Sequence, residues 1–188
     1  MNKTIILVLL LTIGFISCKN PVKEITKLEI AKKYYKVLKD SDDSKIAILL
    51  IDSLLTKESD YEHTFSKDEY IEWLKWDSVF HPTYKILQIK QENEIVKAQI
   101  SKIDKRILFL HEKPIVTNQV IRFDDDKIIS IETTDYINFD DKTFLKNRSK
   151  LLSWVNKNYP EFGSFIHDQT KKGGLKYLKA IELYEKEN

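Results

Sequence analysis

Two side chains of this sequence, those of His63 and Asp135, have the chemistry of a general base. His63 comes in the segment before the predicted third helix, where an imidazole could exchange protons near neutral pH. Asp135 follows Ile129 and Ile131 at alternate positions, so it could be a carboxylate aimed into an apolar cavity. Both have plainer interpretations. His63 could be a surface histidine, and the two faces of the strand of Asp135 are too similar to show which one is inward.

Aromatic side chains follow helical spacing in the third predicted helix. Tyr70, Trp73 and Trp76, with Tyr84 shortly after them, could wall a cavity for a small apolar ligand. Ordinary core packing produces the same pattern. We expect Trp73 in the core and Trp76 at a rim, so that loss of Trp76 or Tyr84 weakens ligand binding without unfolding the domain.

The N-terminus has the pattern of an export signal. A short, positively charged start with Lys3 precedes an apolar run from Ile5 to Phe15. Crossing a bilayer takes roughly 20 apolar residues, and this run is well short of that. The sequence therefore predicts a cleaved signal peptide over residues 1–17.

The residues at the end of that signal resemble the lipobox of bacterial lipoproteins. Cys18, the only cysteine, follows the small residue Ser17, although Phe15 stands where the lipobox usually has leucine. A single exported cysteine cannot form an internal disulfide, so lipidation of Cys18 is the predicted fate of this thiol. A plain secretory signal cleaved after Ser17 is the alternative. The prediction is a lipid-anchored protein of the bacterial cell envelope with a tether over residues 18–23, and the lack of an acidic run after Cys18 favours a periplasm-facing location.

Composition and spacing argue against several kinds of chemistry. Removal of residues 1–17 would leave a net charge of +1 with signs alternating along the chain, which is not the pattern of a nucleic-acid-binding protein. No glycine lies between Phe15 and Phe162, which excludes glycine-rich phosphate loops there. One cysteine and four scattered histidines predict no metal site, and we expect no cofactor.

The candidate residues are positioned by predicted helices followed by strands. Helical spacing covers residues 24–39 and 45–55. A capping box from Ser66 to Glu69 opens a third helix that runs through Leu74 and Asp77 and ends at His81-Pro82.

From Tyr84 onward the apolar period changes to two. We expect strands over 83–91, 94–110 (with a bend near Asp104), 115–123 and 127–136, joined by short turns that require antiparallel pairing. Helical spacing returns at 142–158, and Gly173-Gly174 opens a last helix. The fold class is therefore α+β: N-terminal helices packed on a curved, cone-like antiparallel sheet, with a C-terminal helical appendage.

This order of elements, with the turn Phe-Asp-Asp-Asp-Lys-Ile-Ile over residues 123–129, resembles the nuclear transport factor 2-like superfamily. Asp126 replaces the glycine that the superfamily often has in this turn. The resemblance implies such a domain over residues 24–136, with an extension over 137–188, and a pocket between sheet and helices. Its members include isomerases, cyclases, dehydratases and non-catalytic binding modules, and relatives often dimerise through the sheet.

Two functional hypotheses follow. The first is a membrane-tethered module that binds a small apolar ligand or an envelope protein without turnover. The second, implied by the resemblance, is an isomerase, cyclase or dehydratase-type enzyme with His63 or Asp135 as the base and a tyrosine as hydrogen-bond donor. Either hypothesis is compatible with a homodimer. The sequence does not specify the ligand, nor whether the anchor lies in the inner or the outer membrane.

Overall fold

The computed structural model describes residues 25–40 and 42–188. The predicted signal peptide, Cys18 and the tether lie outside these residues. Helix α1 spans Lys27–Asp40 and buries one face, and α2 spans Asp43–Leu49. Helix α3, Lys67–Ser78, begins with the predicted capping box, in which Ser66 and Glu69 satisfy each other's backbone N–H groups.

Six strands of the described chain form one sheet. They are β1 (Leu50–Glu58), β2 (Tyr61–Ser66), β3 (Thr83–Glu92), β4 (Ile95–Ile103), β5 (Ile115–Asp124) and β6 (Lys127–Tyr136), in the order β2-β1-β6-β5-β4-β3. Strands β3 to β6 form the predicted antiparallel meander, and β1 pairs with β6 in parallel. Register shifts in β3–β4 and β5–β6 interrupt the ladders, as bulges that bend a sheet do.

Two predicted elements are wrong. The helix expected over residues 45–55 ends at Leu49, and the chain continues directly into β1 and then β2. The strand expected over 94–110 stops at Ile103, because the Asp104 carboxylate caps a short helix, α4 (Lys105–His111), by accepting from the backbone N–H of Ile107. A hairpin and a helix are thus added to the predicted α+β arrangement, whose fold class is confirmed.

The C-terminal extension packs on one end of this unit. It comprises α5 (Asp141–Asn158), two 3₁₀ turns (Pro160–Phe162 and Phe165–His167) and α6 (Lys171–Glu187). One hydrophobic cluster lies between α1, α2, α3 and the sheet, and a second joins α3 and α4 to the extension. None of the described helices is long and apolar enough to span a bilayer.

Candidate functional site

The space between the helices and the sheet is filled by hydrogen-bonded tyrosines. The hydroxyl groups of Tyr34 in α1 and Tyr70 in α3 lie 2.5 Å apart, and the Tyr35 hydroxyl donates to Oε1 of Gln119 in β5 at 2.7 Å. All three tyrosines are buried, and burial raises their hydroxyl pKa values above the ordinary range. These hydroxyls are therefore neutral, and their hydrogen bonds connect the helices to the sheet and to each other.

A small cavity lies at the C-terminal end of α3. Its volume is about 10 Å³, and its lining includes Asp77, Ser78, Pro82 and Tyr84. A water molecule needs roughly 10–15 Å³ of such space, so the cavity is the size of one water at most. A small apolar ligand of the predicted kind has no room there.

Beside this cavity lies a buried cluster of charges centred on Asp77. Its carboxylate, 2 % exposed, accepts from Lys102 Nζ at 2.6 and 2.7 Å and from the Tyr84 hydroxyl at 2.9 Å. The guanidinium of Arg106 is 3.8 Å from the same carboxylate. Helix α3, strands β3 and β4, and helix α4 each supply one member, so the cluster joins four elements.

The electrostatics of this cluster are those of a fixed ion pair. Burial acts to raise the pKa of Asp77, but the charges of Lys102 and Arg106 outweigh it and hold that pKa below its ordinary value. Burial and the neighbouring carboxylate raise the pKa of Tyr84 well above its usual range. A general base near neutral pH needs a raised carboxylate pKa, so Asp77 is poorly suited to that task although a hydroxyl lies beside it.

Asp104 extends the cluster toward the extension. One carboxylate oxygen caps α4, and the other is buried without a hydrogen bond in the described structure, 3.8 Å from both Lys102 and Arg106. Burial raises the pKa of Asp104, against the pull of the two cations. The Arg106 guanidinium also lies over the rings of Trp76 and Phe80, at 4.7 and 5.2 Å from their centroids. Arg106 thus connects the charged cluster to the second hydrophobic cluster.

The structure does not bring the two predicted bases together. His63 lies on β2, not in a connecting segment, and its exposed ring packs against Phe65 with centroids 4.1 Å apart. Asp135 is exposed on β6, opposite Asn118. Strand β1 separates β2 from β6.

The predicted aromatic set is divided between the two clusters. Trp73 is partly buried and packs against both, and Tyr84 donates to Asp77. The expectation that Trp76 lies at a rim is wrong: only 4 % of it is exposed, because the extension covers α3. Loss of Trp76 should therefore destabilise the protein directly.

The sequence interpretation missed Asp77, Lys102 and Arg106. A signal was present for the first two: Asp77 follows the core stripe of α3, and Lys102 continues the alternation of Val96, Ala98 and Ile100 on the buried face of β4. A carboxylate and an ammonium group on two buried faces are expected to pair.

A larger recess lies on the opposite face of the sheet. This outer groove covers residues 88–90 of β3, 97–99 of β4 and 118–120 of β5, with Thr134 of β6, and has a volume of about 580 Å³. Ligand sites typically occupy roughly 300–1,000 Å³. Among the described residues no group of histidine, aspartate and glutamate side chains is placed to hold a metal ion.

Comparison with known proteins identifies the fold. No protein-family model and no curated protein matches the sequence. Solved structures similar in fold include an NTF2-like protein of unknown function from Cytophaga hutchinsonii (TM-score 0.51, 11% identity, 66% of this chain and 98% of that one). They also include a protein from Kribbella flavida (0.54, 11%, 67% and 96%) and a candidate ketosteroid isomerase from the same organism (0.51, 9%, 61% and 79%). At this identity the likeness shows the fold alone, which is the nuclear transport factor 2-like fold that the order of elements predicts.

Proposed function

We propose that the protein is a membrane-anchored bacterial lipoprotein whose folded domain is a non-catalytic binding module. The observation that supports this most strongly is the closed interior. Where a curved sheet and its helices could enclose a guest, Tyr34, Tyr35 and Tyr70 fill the space, and a cavity of about 10 Å³ remains. The outer groove is a recess of ligand size on the described surface.

The geometry does not favour an acid–base enzyme. Such an enzyme needs a base beside a donor in a cavity that admits substrate. Asp77 and Tyr84 have the right groups, but Lys102 holds the carboxylate and the cavity has no room for a substrate. His63 and Asp135 face solvent on different strands.

The anchor is tested by labelling bacteria that express the full chain with a radiolabelled fatty acid. We expect the wild-type protein to carry the fatty-acid label and to be found in the membrane fraction. The Cys18→Ser variant should show neither property. An export signal without lipidation would instead give an unlabelled, cleaved protein in both strains, and the anchor proposal would be wrong.

The closed interior is tested by equilibrium dialysis of the full chain against small apolar compounds. We expect no saturable binding by the wild type. Leu74→Ala, which removes a buried side chain from the cavity wall, should create room for a small hydrocarbon in a protein that otherwise folds. Saturable one-to-one binding by the wild type would show an interior that opens and would reinstate a pocket function.

A further inference from the structure

We infer that the outer groove binds an uncharged, hydroxyl-rich ligand of the oligosaccharide class. This inference rests on the proposed binding function and names the ligand of that site. Two observations support it. Carboxamide and hydroxyl groups lie side by side in the middle of the groove, and the lysines at one end of the groove contact a carboxylate.

Strand alternation sets the groove apart from the core. Ala98 is buried against the helices, so its neighbours Lys97 and Gln99 point to the other face. The register places Gln99 opposite Asn118 and Lys97 opposite Val120, which continues that outward face onto β5. The polar side chains of β4 and β5 therefore form adjacent rows over the centre of the sheet.

Carboxamides occupy the middle of these rows. Nε2 of Gln99 donates to Oδ1 of Asn118 at 3.2 Å, and this bond orients both groups. It leaves Oε1 of Gln99 as an acceptor and the NH₂ group of Asn118 as a donor, with no other partner for either among the described residues. Gln88 supplies a further carboxamide, and the Thr134 hydroxyl is fixed by donating to the carbonyl of Asn118 at 3.3 Å. Each carboxamide offers both hydrogen-bond roles, as does each sugar hydroxyl, and the Thr134 oxygen can still accept a hydrogen bond.

The charges at the other end are already paired. Lys90 and Lys97 each bind Glu92 at 2.5 Å, and these two lysines lower the pKa of Glu92 to about 2, so the carboxylate stays ionised. Both ammonium groups contact this one carboxylate, so the three groups together present a net charge of +1 to a phosphate instead of the +2 of two unpaired lysines. None of the residues lining the groove is aromatic, which argues against a flat apolar ligand.

The strand arrangement argues against an extended peptide. Strands β4 and β5 are paired on both sides, so their backbone groups are not available for strand addition at the groove centre. Recognition there depends on side chains, and a volume of about 580 Å³ suits a compact ligand.

The test is calorimetric titration of the full, lipidated chain in nanodiscs. The titrants are neutral oligosaccharides of hexose and of N-acetylhexosamine units, inorganic phosphate, and capped uncharged peptides. We expect saturable binding of a neutral oligosaccharide that is insensitive to salt. Gln99→Met, which keeps the length of the side chain and removes its amide, should weaken this binding about tenfold. Gln169→Met, the same change at an exposed site in the extension, should leave it unchanged.

The outcomes separate the ligand class from the binding function. Equal unfolding midpoints of the two variants and the wild type establish that the fold is intact. Binding of a peptide or phosphate that Gln99→Met abolishes would overturn the oligosaccharide class and keep the groove as a binding site. No binding by any titrant, or binding that Gln99→Met leaves unchanged, would overturn the inference about the groove, while fatty-acid labelling at Cys18 tests the anchor independently.

Discussion

At the scale of single residues, the most consequential group is the Asp77 carboxylate. Asp77 is a buried residue of α3, and its negative charge is offset by the positive charges of Lys102 from β4 and Arg106 from α4. Breaking a buried ion pair from one side is costly because the remaining charges lose their partner and stay desolvated. We therefore expect the Asp77 carboxylate to contribute to the stability of the fold.

We expect Asp77→Asn to lower the free energy of unfolding by about 3 kcal/mol at neutral pH. Urea denaturation followed by circular dichroism measures this. Asp68→Asn, an exposed acidic position in the first turn of the same helix, is the control and should cost well under half as much. An Asp77→Asn variant as stable as the wild type would show that the cluster contributes no net stability.

The same group predicts a pH dependence. The pKa of Asp77 is lower in the fold than in the unfolded chain, so the folded state binds fewer protons and its stability falls as pH drops below the ordinary carboxylate range. Asp104, whose pKa is raised, contributes with the opposite sign. Denaturation midpoints of wild type and Asp77→Asn should therefore converge on acidification. A constant difference between them would contradict the assigned direction.

Residue roles were harder to predict than residue types. The sequence pattern correctly identified an aromatic stripe on α3, but placed Trp76 at a rim, because the extension that covers it lies about a hundred residues later in the chain. His63 and Asp135 were predicted as bases because they are titratable groups near the predicted pocket. The structure places both side chains on exposed positions of strands that β1 separates.

At the scale of elements, the packing of α6 on α3 depends on the close approach of Gly174 to Trp76. A Cβ atom built on Gly174 would lie 3.0 Å from Cδ1 of Trp76 and 3.1 Å from its carbonyl oxygen. The carbonyl oxygen of Trp76 belongs to the backbone of α3 and cannot shift easily. The absence of a side chain at Gly174 therefore allows α6 to pack against α3.

We expect Gly174→Val to destabilise the packing of α6 on α3 by about 2 kcal/mol, even though valine favours a helix over glycine. Guanidinium denaturation of the full chain measures the loss. Lys172→Ala, an exposed site two residues away in the same helix, should change stability by less than about 0.5 kcal/mol. Equal stability of wild type and Gly174→Val would show that α3 adjusts to the added side chain.

The elements that the sequence predicted well are those with local signals. The capping box fixed the start of α3, and alternation with short turns fixed the meander from β3 to β6. Strand β1 was misread as helix because Ile46, Leu49, Leu50 and Leu54 have helical spacing across the junction of α2 and β1. Strand β1 pairs with β2 on one side and, on the other, with β6, which lies more than seventy residues away and cannot be read from the local pattern.

At the scale of the whole molecule, the outer face of the sheet is also the face through which a second copy could pack. A homodimer through the sheet stays a prediction. Such a dimer would cover the outer groove, so ligand binding and dimerisation through this face would exclude each other.

Size-exclusion chromatography over a range of concentrations tests that prediction. If copies pair through the outer face, elution should shift with concentration, and Val120→Glu, which adds a charge to that face, should give a monomer at every concentration. Gln169→Glu adds the same charge at an exposed site in the extension and should elute like the wild type. A wild-type monomer throughout would mean that the dimer prediction is wrong.

The aromatic contacts at the junction between sheet unit and extension have a spectroscopic consequence. The chain has three tryptophans, and the rings of Trp73, Trp76 and Trp154 all pack against the second hydrophobic cluster. Intrinsic fluorescence therefore originates almost entirely at that junction. If the extension undocks before the sheet unfolds, the emission will shift to the red at a lower denaturant concentration than the loss of ellipticity, and no added label is needed to see it.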